Sequence, residues 1–418
     1  METDQKDVAD NTELLIESVH SNQNSKPIII NPLFLDDENL SEEERIEVLS
    51  EIFNQNIRQD QLKRVINHLA PILSGDHPAS ALIYGPTGSG KTVSLIHVLS
   101  RFKNVAQRKG VSFDFSYIDL TMPKTTFSAL NETAISLDGQ VKRYRRGIPI
   151  DLMAQSITDI LAKRRGFMVL LIDEINNIKP SPDDFLTFLA KTLPRKVPCR
   201  LVLIMLTNRL DWDRDLDPRL MSVLKKAEMV FEPYNARDLI EILKLRVAKA
   251  LDPALVDEPA VGKIAAFAAR DNGDARKAVQ LLAKSARIAQ EAGTELDEKC
   301  VDRAKDALEI DKTESMIRVL ALHQRLALEA CYHGLNKTKG SLNTGGAYRF
   351  YQELCSVQES NPLTQRRFSE LLGYLDLYGL IGARTINKGR YGNTREISGC
   401  LPAQVVYRML SGETGMCR

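Results

Sequence analysis

Residues 85–92 read Gly85-Pro86-Thr87-Gly88-Ser89-Gly90-Lys91-Thr92. An apolar run at residues 81–84 precedes it, and a helix-like stretch follows it. Its glycines let backbone N–H groups close around phosphates, Lys91 neutralises the β and γ phosphates, and the Thr92 hydroxyl suits a Mg²⁺ shell at a helix N-terminus. This pattern predicts a strand, a phosphate-binding loop and a helix, and with them a site for ATP or ADP and Mg²⁺.

The composition excludes some classes of protein. The chain has 418 residues, which is enough for two or three domains with their own cores. Its 56 Lys and Arg balance 55 Asp and Glu, so any DNA contact must come from a local patch. No apolar run approaches the roughly 18 residues of a membrane span, and the polar residues 1–26 are unlike a signal peptide. We expect a soluble cytoplasmic protein with no membrane partner.

The cysteines are scattered along the chain from residue 199 onward and form no C-x-x-C pair. They are Cys199, Cys300, Cys331, Cys355, Cys400 and Cys417. This spacing favours reduced, structural thiols in an intracellular protein and argues against a zinc ribbon.

The order of apolar runs predicts the domain organisation. Short runs at residues 81–84, 112–119, 167–172, 200–206 and 228–231 alternate with amphipathic helices. Such alternation predicts an α/β domain with a parallel sheet covered on both faces. A helical pattern also covers residues 43–73, and residues 234–309 read as helices only. We expect disorder at 1–27, the nucleotide-binding domain at 28–232, a helical lid at 233–310 and a third domain at 311–418.

Two carboxylates, Asp173 and Glu174, directly follow the apolar run at 167–172 and form a second chemical pattern. At the end of a buried strand, Asp173 is placed to hold Mg²⁺ through water, and Glu174 is placed to polarise an attacking water. The run at 200–206 delivers Asn208 to the same edge of the sheet, where it would orient that water. Asparagine after a strand is also a common turn residue or helix cap, so both interpretations stay open for Asn208.

The third domain has the pattern of a winged helix. Thr364 caps a helix whose apolar residues, such as Phe368 and Leu372, share one face, and a β-hairpin with a basic tip follows. Residues 361–397 hold six Arg or Lys and three Asp or Glu. We predict DNA contacts there from Gln365, Arg366, Arg367, Ser369, Lys388, Arg390, Tyr391 and Arg395. Winged helices also serve as protein docking modules, which is the alternative.

These residues resemble the AAA+ ATPases, in which a triphosphate loop, an Asp-Glu strand end, a polar sensor and two arginines recur in this order. The resemblance implies that Arg219, in the stretch Asp-Pro-Arg-Leu, is an arginine finger that acts on ATP presented by a neighbouring protein. It implies that Arg276, in Gly-Asp-Ala-Arg, is the second sensor on the lid, and that Tyr234 and Arg246 pack near the nucleotide. Arginine suits both tasks because its planar fork binds two phosphate oxygens and keeps its charge.

A closer resemblance is to the archaeal replication initiators related to the largest origin-recognition subunit and the cell-division-cycle helicase loader. It is carried by the phosphate loop, the Gly-Asp-Ala-Arg motif, residues 363–396, and the stretch Arg58-Gln59-Asp60-Gln61. It implies an AAA+ P-loop domain with a helical lid, followed by a C-terminal winged-helix domain. Two departures stand out. Asn176 replaces a second aspartate common in the family, and residues 52–57 replace its proline-containing lead-in.

The same resemblance implies the function and the partners. It implies a nucleoid-associated initiator that binds double-stranded origin DNA, uses ATP binding and slow hydrolysis as a switch, and recruits the replicative helicase. It also implies homo-oligomers or hetero-oligomers with paralogues on DNA. In this family an insertion between the second and third strands touches DNA. In this sequence the corresponding segment carries Lys142, Arg143 and Arg145. By itself that cluster fits a solvated loop or a regulatory surface equally well.

Two other functions compete with the initiator. An ATP-gated transcriptional regulator would bind DNA through the same winged helix but would load nothing. A motor ATPase would thread a polymer through its ring. The sequence has no aromatic-apolar-glycine loop between the second and third strands, where a motor grips its substrate. The motor is therefore disfavoured, and the regulator stays open.

Overall fold

The computed structural model describes residues 27–35, 57–122, 125–139, 149–179, 181–224, 227–338, 342–387 and 393–411. The chain divides into two compact units, one up to Ala304 and one from Lys305. Several predictions concern residues outside the described ranges. They are most of the disordered segment at 1–27, the cluster with Lys142, Arg143 and Arg145, and the wing tip with Lys388, Arg390 and Tyr391.

A five-stranded parallel sheet, with the strand order β2-β3-β4-β1-β5, forms the centre of the first unit. Its strands are β1 Ala81–Tyr84, β2 Phe113–Asp119, β3 Phe167–Asp173, β4 Arg200–Thr207 and β5 Ala227–Val230. Every residue of β3 is buried, because a central parallel strand is covered on both faces. The predicted parallel sheet is confirmed, and each strand lies at one of the predicted apolar runs.

Two apolar cores cover the two faces of this sheet. Along β3, Leu170 and Ile172 belong to one core, and Val169 and Leu171 belong to the other, because successive side chains of a strand point to opposite faces. The flanking helices are α1 Gln59–Leu69, α2 Lys91–Arg108, α3 Thr126–Leu137, α4 Ile150–Ala162, α5 Asp183–Thr187 and α6 Pro218–Leu224. Since all strands run in one direction, their carboxyl ends meet at one edge, where ligands bind in such sheets.

The helical pattern at 43–73 does not form one uninterrupted helix. Helix α1 begins at Gln59, because Arg58 has a left-handed backbone with φ 63°. It ends at Leu69, and Ala70–Ser74 forms a 3-10 turn that contains Pro71, since proline lacks the N–H that an α-helix requires. The predicted helical pattern is therefore confirmed over residues 59–73, as two helical segments, while residues 43–56 lie outside the described ranges.

Helices follow β5, as the sequence predicts. They are α7 Ala236–Ala250, α8 Glu258–Arg270, α9 Ala275–Ala292 and α10 Glu298–Arg318. Asn235 begins α7 by accepting a hydrogen bond from the Asp238 N–H at 2.9 Å, which is a capping box. The predicted domain boundary at 310 falls inside α10, and the compact units divide at Ala304. The exact domain bounds stay predictions.

The second unit has the helices and the sheet of a winged helix. Its helices after α10 are α11 Leu322–Lys337, α12 Thr344–Val357, α13 Gln365–Leu377 and α14 Ala403–Ser411. Its strands β6 Leu342–Asn343, β7 Ile381–Asn387 and β8 Asn393–Gly399 pair antiparallel in the order β6-β8-β7. The predicted helix and hairpin are α13, β7 and β8, so the winged-helix prediction is confirmed. The two-residue β6 carries no periodic signal that the sequence could reveal.

The described cysteines are free thiols. Cys199, Cys300, Cys331 and Cys355 are buried, and Cys400 is exposed. Burial raises the pKa of the Cys331 thiol to about 12, so this side chain stays protonated and packs as a small apolar group. The described ranges contain no cluster of three or more potential metal-binding side chains. Among the helices that the structure describes, none has the length and apolar character to cross a membrane.

Candidate functional site

The predicted phosphate loop connects β1 to α2 at the carboxyl edge of the sheet. Gly88 and Gly90 have left-handed backbones, with φ 70° and 80°, which glycine adopts without steric cost. A β-carbon at Gly88 would collide with the Asp274 carboxylate, and one at Gly90 would collide with the Tyr234 hydroxyl. Both neighbours come from the region after β5, so this region packs directly against the loop.

Lys91 is the first residue of α2 and only 6% of its surface is exposed. Its Nζ donates hydrogen bonds to the carbonyl oxygens of Gly85 at 2.7 Å and Pro86 at 2.9 Å. Burial lowers the pKa of Lys91, whereas the charges of Glu174 and Asp173 raise it. Its direct partners are neutral carbonyls, so the ammonium charge is available to an anion in the loop.

The Asp173 carboxylate at the end of β3 is held by three donors. Its Oδ2 accepts the Thr92 hydroxyl at 2.6 Å and the Tyr117 hydroxyl at 3.1 Å. Its Oδ1 accepts the Glu174 N–H at 3.0 Å. Thr92 and Asp173, which the sequence predicts as Mg²⁺ ligands, therefore lie together, and their oxygens are the ligand type that Mg²⁺ prefers.

Sequence reasoning missed Tyr117. The register pairs Tyr117 of β2 with Leu171 of β3, and Leu171 and Asp173 share one face of their strand. The Tyr117 hydroxyl lies beside Asp173 because β2 pairs with β3. The order of strands in the sheet could not be predicted from the sequence. Burial, followed by the Asp173 charge, raises the pKa of Tyr117, so the hydroxyl keeps its proton and donates.

Glu174 has a strained backbone and an unsatisfied carboxyl oxygen. Its φ of 51° lies in the left-handed region, which costs a non-glycine residue about 1 kcal/mol or more. Its Oε2 is buried with no hydrogen-bond partner among the described residues. Burial is the largest cause that raises the pKa of Glu174, and the Asp173 charge adds to it. A buried carboxyl oxygen without a hydrogen-bond partner is costly, and carboxyl groups whose pKa is raised cluster at functional sites.

The ends of β3 and β4 are joined by amide and hydroxyl groups. The Thr207 hydroxyl donates to Asn176 Oδ1 at 2.8 Å, and the Asn176 amide donates to Asn177 Oδ1 at 3.0 Å. Asn176 stands where the family commonly has a second aspartate. Its neutral amide links Thr207 of β4 to Asn177 by hydrogen bonds. Asn208 is exposed directly after β4, and β4 lies between β3 and β1. The structure therefore brings Asn208 to the same edge as Asp173 and the loop.

The other predicted arginines lie in different settings. Arg276 is exposed in the first turn of α9, which Asp274 caps through the Arg276 N–H at 2.9 Å. Its charge lowers the pKa of Lys91, after burial as the main cause, so it lies near the loop. Arg246 is buried on α7 and donates from Nη1 to the Phe34 carbonyl at 3.1 Å. Arg219 is exposed on α6.

In the winged helix, the described candidates lie on α13 and β8. The side chains of Arg366 and Arg367 are 92% and 71% exposed, and both pair with Glu370, at 3.7 Å and 2.7 Å. Gln365 is exposed and Ser369 is half-buried. Arg395 donates from Nη1 to the Ser369 carbonyl at 3.0 Å, so it braces β8 against α13. Exposed ion pairs are worth about 0–1 kcal/mol, so a phosphate can compete for Arg366 and Arg367.

Family models match most of the chain. An AAA domain matches residues 75–211, a Cdc6 AAA+ ATPase-type lid domain matches residues 240–306, and a CDC6 C-terminal winged helix domain matches residues 315–408. The fold and these matches define the class of the protein: it is a AAA+ ATPase with a lid and a winged-helix domain.

Individual relatives identify the family. An ORC1-type DNA replication protein of Pyrococcus furiosus is 34% identical over 352 residues, which cover 81% of this chain and 82% of that protein. ORC1-type DNA replication protein 1 of Methanosarcina mazei is 32% identical over 356 residues, or 84% and 86% of the two chains. The structure of Aeropyrum pernix ORC1 in complex with DNA matches with a TM-score of 0.71 and 29% identity, over 92% of this chain and 97% of that one. The chain belongs to the archaeal Orc1/Cdc6 family, and the resemblance is confirmed.

Proposed function

We propose that this protein is an ATP-dependent DNA replication initiator whose nucleotide state sets how it engages double-stranded origin DNA. Its relatives are named DNA replication proteins, and the similar Aeropyrum pernix structure is a complex with DNA. The observation that carries the proposal is the direct packing of the lid against the phosphate loop, through Asp274 at Gly88 and Tyr234 at Gly90.

The residues of the loop edge fit a nucleoside triphosphate and Mg²⁺. Gly88 and Gly90 have left-handed backbones, Lys91 offers an ammonium group, and the Thr92 and Asp173 oxygens lie within hydrogen-bond distance of each other. When bound, ATP supplies the terminal phosphoryl group that is lost on hydrolysis. Lys91 and the residues from Gly85 to Thr92 would hold its phosphates, and Thr92 and Asp173 would hold Mg²⁺.

Further residues complete the proposed chemistry. Glu174 would polarise the attacking water with its unpartnered carboxyl oxygen, and Asn208 would orient that water. Arg276 would bind phosphate oxygens from the lid, with Tyr234 and Arg246 packed nearby. Arg219, exposed on α6, would act on the ATP of a neighbouring subunit in an oligomer. Hydrolysis by this site is proposed to be slow and to serve as a switch.

The contacts between lid and loop support the proposed switch. The Ala275 N–H donates to the Gly88 carbonyl at 3.2 Å, so the first turn of α9 is bonded to the loop that would hold the phosphates. Any change of the loop on binding or hydrolysis must be accommodated by α9. A ligand that binds two arrangements differently shifts their populations, and DNA would then meet a different protein before and after hydrolysis.

DNA contact is proposed for the winged helix. Helix α13 would lie in the major groove with Gln365, Arg366, Arg367 and Ser369, while the wing with Lys388, Arg390, Tyr391 and Arg395 follows the minor groove or backbone. Lys142, Arg143 and Arg145 would add a contact from the first unit. Recruitment of the replicative helicase, and a nucleoid-associated cytoplasmic location, are proposed from the family alone.

Arg366→Ala should weaken binding to every duplex, whatever its sequence. The Arg366 side chain is 92% exposed and its ion pair with Glu370 is long, at 3.7 Å. Its guanidinium is therefore accessible to a phosphate of the DNA backbone. The slope of log affinity against log salt should fall by about 0.9 for one lost phosphate, measured by fluorescence anisotropy over a salt series. Lys312→Ala, which removes an exposed cation from α10, should leave the slope unchanged. An unaltered slope in Arg366→Ala would count against contact by this side chain.

Tyr117→Phe should raise the Mg²⁺ concentration that gives half-maximal ATP hydrolysis by about tenfold, since a hydrogen bond to a charged group contributes about 1.5–3 kcal/mol. The substitution removes one of the two hydroxyls that orient Asp173 Oδ2 and leaves the ring in place. Hydrolysis is measured against Mg²⁺ at saturating ATP. Tyr374→Phe, at an exposed tyrosine of α13, is the matched control. The same Mg²⁺ dependence in both variants would show that Tyr117 does not orient this carboxylate.

Genome-wide mapping of the sites that the protein occupies tests the whole proposal. Occupancy concentrated at a replication start, with the replicative helicase recovered in the same complex, is the expected result. Occupancy spread over promoters without helicase would instead identify the transcriptional regulator, which shares the winged helix and the nucleotide site.

A further inference from the structure

Arg58 is a buried arginine that precedes α1 and that the proposed chemistry does not use. Only 8% of its surface is exposed, and its left-handed backbone, with φ 63°, is uncommon for a residue other than glycine. Within the described ranges its guanidinium is bound by backbone carbonyls and aromatic rings rather than by a carboxylate. Arginine is rarely buried without a paired charge, so this placement calls for an explanation.

One amino group of Arg58 joins two segments of the chain. Its Nη2 donates to the Ser89 carbonyl oxygen at 3.1 Å and also to the Glu232 carbonyl oxygen. Ser89 lies in the phosphate loop between the two left-handed glycines. Glu232 lies in the short connection between β5 and α7, where the chain passes from the sheet to the lid. Arg58 therefore ties the loop to the start of the lid.

The bond to Ser89 bears on phosphate binding because of peptide geometry. The Ser89 carbonyl and the Gly90 N–H belong to one planar, trans peptide unit, so they point in opposite directions and turn together. A hydrogen bond that holds the carbonyl also fixes the direction of the N–H. Backbone N–H groups of such loops are the donors that cradle phosphate. Arg58 thus sets the direction of a phosphate donor without touching the phosphate.

Aromatic contacts hold the guanidinium in this position. Its central carbon lies 4.0 Å from the centroid of the Tyr234 ring and 6.0 Å from that of Phe231, both within the range of cation–π attraction. The Tyr234 hydroxyl in turn lies against Gly90, where a β-carbon would collide with it. Arg58 at the Ser89 carbonyl and Tyr234 at Gly90 therefore both contact this part of the loop.

We propose that Arg58 is a positioning residue of the nucleotide site, which orients the Ser89–Gly90 peptide toward the phosphates and links it to the lid. This inference rests on the proposed nucleotide binding and adds a residue to it. Because Arg58 acts through the loop, its loss weakens nucleoside diphosphate and triphosphate binding alike. A side chain that bound the terminal phosphate would instead separate ATP from ADP.

Arg58→Met in the full-length chain is the main test, because methionine keeps much of the side-chain length but donates no hydrogen bond. We expect the dissociation constants of Mg-ATP and Mg-ADP to rise together by about tenfold, from one charged hydrogen bond. Arg58→Lys keeps the charge but loses the planar fork and its stacking, so we expect a smaller rise in both constants. Arg64→Met, the same substitution at an exposed position of α1, should bind both nucleotides normally. Binding is measured with fluorescent nucleotide analogues, and the melting temperature of nucleotide-free protein is recorded in parallel.

Each result decides the role of Arg58. A lower melting temperature with both dissociation constants unchanged would make Arg58 a structural residue only and overturn the proposal. Weakened ATP with unchanged ADP would overturn it as well, because the side chain would then sense the terminal phosphate. If Arg58→Met does not fold, unchanged constants in a folded Arg58→Lys overturn it equally. Failure of the unsubstituted chain to bind either nucleotide would refute the proposed function itself, which is a different outcome.

Discussion

Glu174→Gln should reduce ATP turnover by about a hundredfold or more and leave ATP affinity within a few-fold. General bases contribute about 10²–10⁴-fold to rate, and an amide cannot take the proton of an attacking water. Glutamine has the shape of glutamate and fits the same space. Among the described residues, Oε2 has no hydrogen-bond partner, so the substitution breaks no described bond of this atom. Single-turnover hydrolysis and calorimetric titration with Mg-ATP measure the two quantities separately.

The control is Glu295→Gln, which makes the same change at an exposed position between α9 and α10. It should alter neither turnover nor affinity. Full turnover in Glu174→Gln would remove Glu174 from the proposed chemistry. A loss of affinity equal to the loss of turnover would show that this residue holds the nucleotide instead of polarising water.

Lys91→Ala should weaken ATP binding by about a hundredfold or more. The ammonium is buried and bonded only to the neutral carbonyls of Gly85 and Pro86 in the described structure, so its charge is free to balance phosphates. Removing one partner of a buried charge interaction costs about 3–5 kcal/mol. Without Lys91, the nearby charges of Asp173 and Glu174 would repel the phosphates. Calorimetry with Mg-ATP measures the dissociation constant.

A thermal measurement gives an independent check of the same variant. Ligand at a hundred times its dissociation constant stabilises a protein by about 2.7 kcal/mol, so ATP should raise the melting temperature of the unsubstituted protein and not that of Lys91→Ala. Lys109→Ala, which removes an exposed ammonium beyond the other end of α2, is the matched control and should keep the shift. Equal ATP affinity in both variants would contradict the role of Lys91.

Local patterns predicted most of the fold because they report burial directly. The apolar runs locate the five strands of the sheet, since a parallel strand covered on both faces must be apolar along its length. Their ends shift slightly, as in Ala227–Val230 against the predicted 228–231, because pairing with β1 sets the ends. The helical pattern at 43–73 is divided into two segments in its described part, because Arg58 has a left-handed backbone directly before α1 and Pro71 lies shortly after its end.

The residues of the candidate site that fall in short motifs were predicted from the sequence. The loop from Gly85 to Thr92 and the Asp173-Glu174 pair are contiguous, so the sequence displays them. Tyr117 was missed because it belongs to no motif, and Arg58 was quoted only as part of the stretch 58–61, without a role in the site. Their contacts with Asp173 and Ser89 join positions far apart in the chain. The individual roles of the site residues stay predictions for the experiments above.

The class of fold, the phosphate loop, the acidic strand end and the winged helix could be predicted from the sequence, because each depends on residues that are neighbours in the chain. Other contacts are visible only in the folded chain: Tyr117 supports Asp173, the lid side chains Asp274 and Tyr234 pack against Gly88 and Gly90, and Arg58 bonds to both Ser89 and the lid connection. These contacts depend on strand order and on the approach of separate segments. Packing of the whole unit sets that approach, and no local pattern encodes it.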